Sequence, residues 1–463
     1  MTIYDLLLAK KLGGGGGGEA TLINKNINTN GTYNASSDNA DGYSKVVVNV
    51  EEGAWERPSE WPDITKLDRT GEVLYLTYPA TEDDGYVVVN CANSFNVAVG
   101  HIEGNNFVVD IADQPANSNS IARVYFGGSG GYKVVRITAQ SGKTLSKVNF
   151  AASNSGKAVD GIPMHPNRQF TLEAYGNLPN CTDFVVRNLA HLECVDVSNI
   201  KPTSLNTSFQ RCRELHKVVT DTWDTSSCTS FADCFNGCEY LNEINAKNLV
   251  KSACTTVSGM FNGCTDLKKL DLSGWNTSAV TIFSSLFAEC RELEELTLPS
   301  SFVQSSATNL AFMFQNTNSI KSLDMSGWNT SNVTRIDSMF KWTTEFEVID
   351  FRGLDLSKVT STSANNGMYA MATASYALKI YFPASLTVVG NFITNSEQVP
   401  ATIYEFHFLS TTPPTMGGTY LNALYDGTEK IYVPYSADHS VLNAYKTASN
   451  WSTYANYIFE EEQ

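Results

Sequence analysis

Three aspartates occupy the same position of a short repeated strand in this 463-residue chain: Asp271, Asp324 and Asp350. Each stands between two apolar residues. Carboxylates on adjacent strands lie about 5 Å apart, the separation found in retaining glycosidases, and carboxylate oxygens also bind calcium. An open strand face has no pocket that would raise the pKa of one carboxyl group. We therefore expect no catalytic residue, no metal and no cofactor.

Aromatic rings take over this position in the last three repeats, where the chain has Tyr381, His407 and Tyr432. These rings have hydrogen-bonding tips, which suit stacking on a sugar or holding a protein side chain. We predict a ligand-binding patch formed by the three rings together with the three aspartates. The sequence leaves open the alternative that the rings only tile the surface of the last repeats.

Other residues with reactive side chains follow no catalytic pattern. The six histidines show neither an i, i+4 pair nor an HExxH motif, and the chain has no nucleophile elbow or zinc cluster. The glycine-rich run at 127–131 is not followed by Lys-Ser/Thr, so we predict a hairpin tip there. Tryptophans alternate with leucine at one repeat position, which favours corner packing over glycan stacking for Trp223, Trp275 and Trp328.

A repeat of about 26 residues positions all these side chains. The pattern Phe-x-x-Cys-x-x-Leu recurs with threonine replacing cysteine in the last two copies, and its phenylalanines are Phe209, Phe235, Phe261, Phe287, Phe314 and Phe340. An apolar-x-apolar strand follows each copy, and it recurs in ten rungs from 195–197 to 431–433. At a strand spacing of about 4.8 Å, ten rungs form a leucine-rich-repeat solenoid roughly 43 Å long.

Stacked coils place equal repeat positions in columns. One column holds Cys212, Cys238, Cys264 and Cys290, and another holds Cys228 and Cys254. We predict buried free thiols here, and neither disulfides nor a metal site. An exposed column beside the aspartates alternates in charge, so we expect it to set the strand register by a few tenths of a kcal/mol per pair: Lys217, Glu243, Lys269, Glu295, Lys379, Glu405 and Lys430.

The repeat also has a specific resemblance. Met260-Phe261-Asn262-Gly263-Cys264 leads to Leu270-Asp271-Leu272-Ser273-Gly274-Trp275-Asn276-Thr277-Ser278, and residues 323–334 echo the second motif. These motifs resemble BspA-type bacterial leucine-rich repeats, and Trp451-Ser452-Thr453-Tyr454 resembles the terminal unit of that family. The resemblance covers about 185–463 and implies a stacked-repeat fold used in surface proteins and adhesins. An insertion near 363–374 leaves the register between 355 and 378 undetermined.

The N-terminal residues do not follow the repeat pattern. Ile3, Leu6 and Leu7 fit a short amphipathic helix, and six glycines follow at 13–18. NGTY at 30–33 and DGYSKVVVNV at 41–50 predict a small β-module. Together these segments resemble the N-terminal region of tail and tail-fibre proteins from phages and prophages of Gram-positive gut bacteria. The resemblance implies virion attachment through Ile3, Leu6 and Leu7, and a frayed terminus is the alternative.

The remaining sequence patterns define the predicted domains. Six β-rich runs between residues 73 and 137 predict a β-sandwich. The fold class is therefore mainly β, with an attachment helix and glycine tether at 1–18, a small β-module at 19–53, the β-sandwich at 54–170, the leucine-rich-repeat solenoid at 171–434 and a C-terminal cap at 435–463. A formal net charge of −16 argues against binding nucleic acid.

These features predict a phage virion protein, a tail fibre or receptor-binding component that is assembled in the host cytoplasm and released by lysis. Its N-terminus would dock on other virion tail proteins, its solenoid would bind a glycan or protein of the host cell surface, and a homotrimer would suit a fibre. The alternative is a BspA-like adhesin on the bacterial cell surface, although residues 1–20 and 440–463 show no signal peptide or wall anchor. A glycan depolymerase ranks third, and we expect no enzyme activity.

Overall fold

A computed structural model describes residues 64–79, 85–90, 96–103, 106–112, 121–126, 132–139, 144–149, 172–360, 379–390, 405–416 and 429–462. All of them belong to one compact unit, Arg57–Gln463. The predicted attachment helix, glycine tether, small β-module and insertion near 363–374 lie outside the described residues. Among the described residues, no helix is long and apolar enough to cross a membrane.

Within the described residues, seven strands precede the repeats, after a 3₁₀ turn at Ile64–Lys66. They are β1 (Val73–Pro79), β2 (Gly85–Asn90), β3 (Asn96–Glu103), β4 (Asn106–Ala112), β5 (Ile121–Phe126), β6 (Tyr132–Ala139) and β7 (Lys147–Asn149). The first six lie at the six β-rich runs, where β-branched and aromatic residues favour extended backbone. One sheet contains β1, β6, β4 and β3, and a second contains β5, β2 and β7.

Both sheets continue into the first coil of the solenoid through β8 (Glu173–Asn177), β9 (Asp183–Val185) and β10 (Cys194–Ser198). β8 pairs antiparallel with β1 and parallel with β10, while β9 pairs with β7. The guanidinium of Arg69 lies 3.0 Å from the carboxylate of Asp196 and 4.0 Å over the ring of Tyr175. The N-terminal strands therefore cover the first edge of the solenoid, which would otherwise expose unpaired backbone groups.

The coils contribute β11 (Lys217–Val218), β12 (Glu243–Ile244), β13 (Lys269–Asp271), β14 (Glu295–Thr297), β15 (Val348–Asp350), β16 (Lys379–Phe382), β17 (Val388–Val389), β18 (Glu405–Phe408), β19 (Thr415–Met416), β20 (Lys430–Val433) and β21 (Ile458–Glu460). They pair in parallel. The last sheet has the order β15-β16-β18-β20-β21. The solenoid has about nine turns.

One predicted rung is wrong. Residues 323–325 form no strand, although Met325 is buried as expected. The coil before them is one residue longer than its neighbours, since Phe287 and Phe314 are 27 residues apart. The coil still stacks on its neighbours, since Asn309 bridges to both Ile282 and Arg335.

The core is organised by phenylalanines that stack from coil to coil. Centroids of consecutive rings lie 5.1, 5.7, 6.4, 5.3 and 5.6 Å apart in the column Phe209, Phe235, Phe261, Phe287, Phe314 and Phe340. The predicted corner packing of the tryptophans is confirmed, because Trp223, Trp275 and Trp328 are all buried. The indole N–H of Trp223 donates to the carbonyl of Val197, and that of Trp275 to the carbonyl of Ala246.

The prediction of buried free thiols is also confirmed. The nine cysteines of the described residues are free, and the four at the Phe-x-x-Cys position are fully buried. Each of these four donates its S–H to a carbonyl of the preceding coil. Thr317 occupies the same repeat position in the next coil, and its hydroxyl donates a hydrogen bond to the carbonyl of Phe287 at 2.7 Å. Burial raises the pKa of Cys212 to about 12, so the unreactive thiol form prevails at neutral pH.

The C-terminal segment closes the far end. Helix α1 (Ser440–Thr447) leads to a 3₁₀ helix at Trp451–Tyr457, and the next strand is β21. Trp451 is buried, donates its indole N–H to Pro414 and meets Phe408 edge-on at 5.1 Å. Tyr445 is also buried and donates its hydroxyl to Ser410. These aromatic contacts cover the apolar interior of the last coils.

Candidate recognition surface

The predicted pairing of charges on the strand face is present in three places. Lys217 with Glu243, Lys269 with Glu295, and Lys379 with Glu405 each form an ion pair of 2.7 Å. The hydrogen bond from Lys379 lowers the pKa of Glu405. Each pair joins adjacent strands in direct register. These charges neutralise one another within the strand face.

Two of the predicted site aspartates serve local turns. Asp271 lies on β13 and accepts a hydrogen bond from the backbone N–H of Ser273 at 2.9 Å, and Asp324 accepts the equivalent bond from Ser326. Hydrogen bonds from Ser273 and Lys247 lower the pKa of Asp271 to about 2. Such a carboxylate holds no proton to donate near neutral pH. Neither residue belongs to the sheet that carries the rings.

The three predicted rings form one continuous stack. The ring centroids of Tyr381 and His407 are 4.3 Å apart, and those of His407 and Tyr432 are 4.7 Å apart, with interplanar angles of 23° and 14°. The ring of Phe459 on β21 lies next in the column, 6.3 Å from that of Tyr432 and tilted by 45°. Residues in direct register on parallel strands bring their side chains together, which explains the stack. We call Tyr381, His407, Tyr432 and Phe459 the ring column.

Asp350 joins this column at its other end. It pairs in register with Tyr381, and its carboxylate accepts three hydrogen bonds from the guanidinium of Arg352, at 3.0, 3.1 and 2.6 Å. The guanidinium of Arg352 then lies 4.3 Å from the centroid of the Tyr381 ring, a cation–π contact. The bond from Arg352 lowers the pKa of Asp350. The structure therefore gathers Asp350, Tyr381, His407 and Tyr432 and leaves Asp271 and Asp324 elsewhere.

His407 is the buried centre of the column, with 5% of its surface exposed. Its Nδ1 lies 2.6 Å from a carboxylate oxygen of Glu461, and its Nε2 lies 3.1 Å from one of Glu405. Stacked neighbours cover both faces of the ring. Flat stacking of a sugar on the ring of His407 is therefore blocked.

Exposed apolar side chains lie within the ring column and beside it. Among the described residues, six large apolar side chains are exposed, and three of them lie on this face: Val348 at 41%, Leu409 at 38% and Phe459 at 43%. The equivalent column on earlier coils presents polar side chains such as Asn245 and Thr297. We call the outer face of β15, β16, β18, β20 and β21 the recognition face. Exposed apolar groups concentrated on one face are characteristic of interaction surfaces.

The repeats match the model of a known protein family. Residues 203–320 and 255–377 match the family described as "Mycoplasma protein of unknown function, DUF285". This match and the solenoid fit a BspA-type repeat protein. No curated protein matches the chain.

The ring column lies beyond the repeats that match. The matched residues end at 377, and the first ring of the column is Tyr381. At the strand position of the rings, the matched coils carry no aromatic residue; they have Val219, Asn245, Asp271, Thr297, Asp324 and Asp350. Among the described residues, no group of three or more histidine, cysteine, aspartate and glutamate side chains could hold a metal ion.

Sequence reasoning missed three members of the surface. Phe459 follows Ile458, which is 27 residues after Ile431, so the strand period itself pointed to an eleventh rung. Arg352 and Glu461 carry no comparable signal, because their roles depend on side chains that reach across coils. The predicted attachment residues Ile3, Leu6 and Leu7 lie outside the described residues.

Proposed function

We propose that this chain is a surface-recognition protein of the BspA-like type, and that its recognition face binds a protein on a bacterial cell surface. The observation that carries the proposal is the ring column, flanked by exposed apolar residues at one end of an otherwise polar strand face. Tyrosine and arginine are among the residue types that dominate binding energy at protein interfaces.

A protein partner suits this surface better than a glycan. A sugar binds aromatic residues through an open ring face, and the faces of Tyr381 and His407 are covered by Arg352 and by neighbouring rings. The open edges, the two phenol hydroxyls and Val348, Leu409 and Phe459 suit the apolar core and polar rim of a protein interface. A glycan is the competing partner that the experiment below separates.

Two locations fit such a protein. The BspA-like repeats favour the surface of the cell that makes it. The resemblance of residues 1–53 to phage tail-fibre proteins favours a virion, and it rests on the sequence alone because those residues lie outside the described part. Immunolabelling of intact producing cells and of phage particles from the same culture separates the two: label on particles only would overturn the cell-surface location.

We expect the purified full-length protein to adsorb to Gram-positive gut bacteria in a saturable manner. Pretreatment of the target cells with a broad protease should remove adsorption, whereas periodate oxidation of their glycans should leave it intact. The measurement is bound protein against free protein at constant cell density.

The outcomes separate the parts of the proposal. Loss of adsorption after periodate, with no loss after protease, would contradict the protein partner and favour the glycan. No adsorption to any tested strain or to the producing bacterium would contradict the recognition function as a whole.

A further inference from the structure

A histidine contacts the residue that directly follows the last strand of the solenoid. β21 lies at the edge of its sheet, with β20 as its neighbour, and its Ile458 is fully buried. The backbone N–H of Glu461, just after β21, donates to Val433 at 2.9 Å. The side chain of Glu461 reaches His407, two strands back in the sheet, at 2.6 Å. This contact spans β20 and ties the end of the chain to β18.

Both nitrogens of His407 face carboxylates. Nδ1 faces Glu461 and Nε2 faces Glu405, which itself accepts from Lys379 at 2.7 Å. An ionised carboxylate only accepts hydrogen bonds, so satisfying both requires an N–H on each ring nitrogen. Only the imidazolium has two such groups. A neutral ring keeps one bond and turns a lone pair toward the other carboxylate.

We propose that His407 acts as a pH-sensitive latch: doubly protonated, it holds β21 in the sheet, and loss of one proton loosens that strand. The latch does not depend on the proposed function. It bears on that function because β21 supplies Phe459, the open end of the ring column.

Charged and titratable groups surround the latch from every packed element: Asp350 and Arg352 from β15 and the residues after it, Lys379 and Tyr381 from β16, Glu405 from β18, Lys430 and Tyr432 from β20, and Glu461 after β21. The Lys379 bond lowers the pKa of Glu405. A carboxyl group whose pKa is lowered by folding stabilises the fold at pH values above its ordinary pKa. This stabilisation is lost as the pH falls through the lowered pKa. The imidazolium bonds are lost in the opposite direction, as the pH rises.

Hydrogen exchange of the full-length protein without any partner tests the latch. Histidine side chains titrate between about pH 5 and 8. A protection factor compares the measured exchange rate with the intrinsic rate at the same pH. We expect the protection factors of the Phe459 and Glu461 amides, which face β20, to fall about tenfold between about pH 5.5 and about pH 8. That factor is the loss of one charge-assisted hydrogen bond. In His407→Gln the protection should be lower at pH 5.5 and should keep only the smaller pH response that comes from His439, and Glu461→Gln should reduce the response in the same way.

Two histidine variants serve as controls. His191 pairs with Glu214 at the opposite end of the solenoid, so His191→Gln should leave the response of β21 unchanged. His439 contacts Glu460 at 2.6 Å but is largely exposed, so His439→Gln should have the smaller effect. A pH-independent protection factor in the unmodified protein would overturn the latch, as would a response that His439→Gln removes and His407→Gln retains.

Discussion

Replacing Phe261 with alanine is expected to lower the free energy of unfolding by about 3–5 kcal/mol, the usual cost of removing a buried phenylalanine ring. Phe261 is fully buried in the middle of the phenylalanine column. Its centroid lies 5.7 Å from Phe235, 6.4 Å from Phe287 and 6.5 Å from Trp275. The substitution therefore leaves a cavity that touches three coils. Urea unfolding followed by tryptophan fluorescence measures the loss.

Phe459→Ala is the matched control for this change. The same ring is removed, but Phe459 is 43% exposed at the sheet edge. We expect its free energy of unfolding to change by about 1 kcal/mol or less, because little apolar area leaves the core. Equal losses for the two variants would contradict a core organised by the phenylalanine column. An unfolding transition that splits into two steps in Phe261→Ala would show that the coils on either side unfold separately.

Replacing Tyr381 and Tyr432 together with alanine is expected to weaken binding to target cells about 100-fold. Truncating a side chain at the centre of an interface commonly costs about 2 kcal/mol or more, and each 1.4 kcal/mol is a factor of ten. The double change removes both phenol hydroxyls and uncovers both faces of His407. Adsorption isotherms of the two full-length proteins on the same cells measure the difference.

Thr297→Ala is the control for the double change. Thr297 is exposed on β14 at the equivalent strand position, but in a coil that lacks the aromatic surface. Its removal should leave adsorption unchanged. Because both tyrosines are only half-buried, the double variant should still unfold cooperatively. Undiminished adsorption by a folded double variant would contradict a role of the ring column in binding target cells.

The repeated features of the fold could be predicted because stacking forces them. A 26-residue period sets Cys238 over Cys212 and Phe235 over Phe209, and alternation along a strand sends Leu270 inward and Asp271 outward. These relations need no knowledge of individual contacts. The same rule predicts that Tyr381, His407 and Tyr432 lie side by side, and the structure stacks them at 4.3 and 4.7 Å.

Features that break the period were not predictable in this way. The pairing of β8 with β1 joins segments about 100 residues apart, and no repeat links them. The absence of a strand at 323–325 does not follow from the repeat period, because residues 323 and 349 keep the regular spacing of 26. Arg352 and Glu461 act through long side chains that reach other coils, so their partners follow from the fold and not from spacing.

The turn-forming aspartates show how one residue type takes two roles at the same repeat position. Asp271 and Asp324 each accept the backbone N–H two residues on, which stabilises the bend after the strand. Asp350 makes the same bond to Arg352, and there the side chain of the bonded residue is a guanidinium that covers Tyr381. The identity of that second residue, serine or arginine, decides whether the aspartate takes part in the recognition face.

Hydroxyl-radical footprinting of the full-length protein, free and bound to target cells, tests the recognition face most directly. Tyr240 is an internal control, because it is 44% exposed on an earlier coil outside this face. The account predicts that oxidation of Tyr432 and Phe459 falls several-fold on binding while oxidation of Tyr240 stays constant. Protection of Tyr240 with continued oxidation of Tyr432 and Phe459 would contradict it.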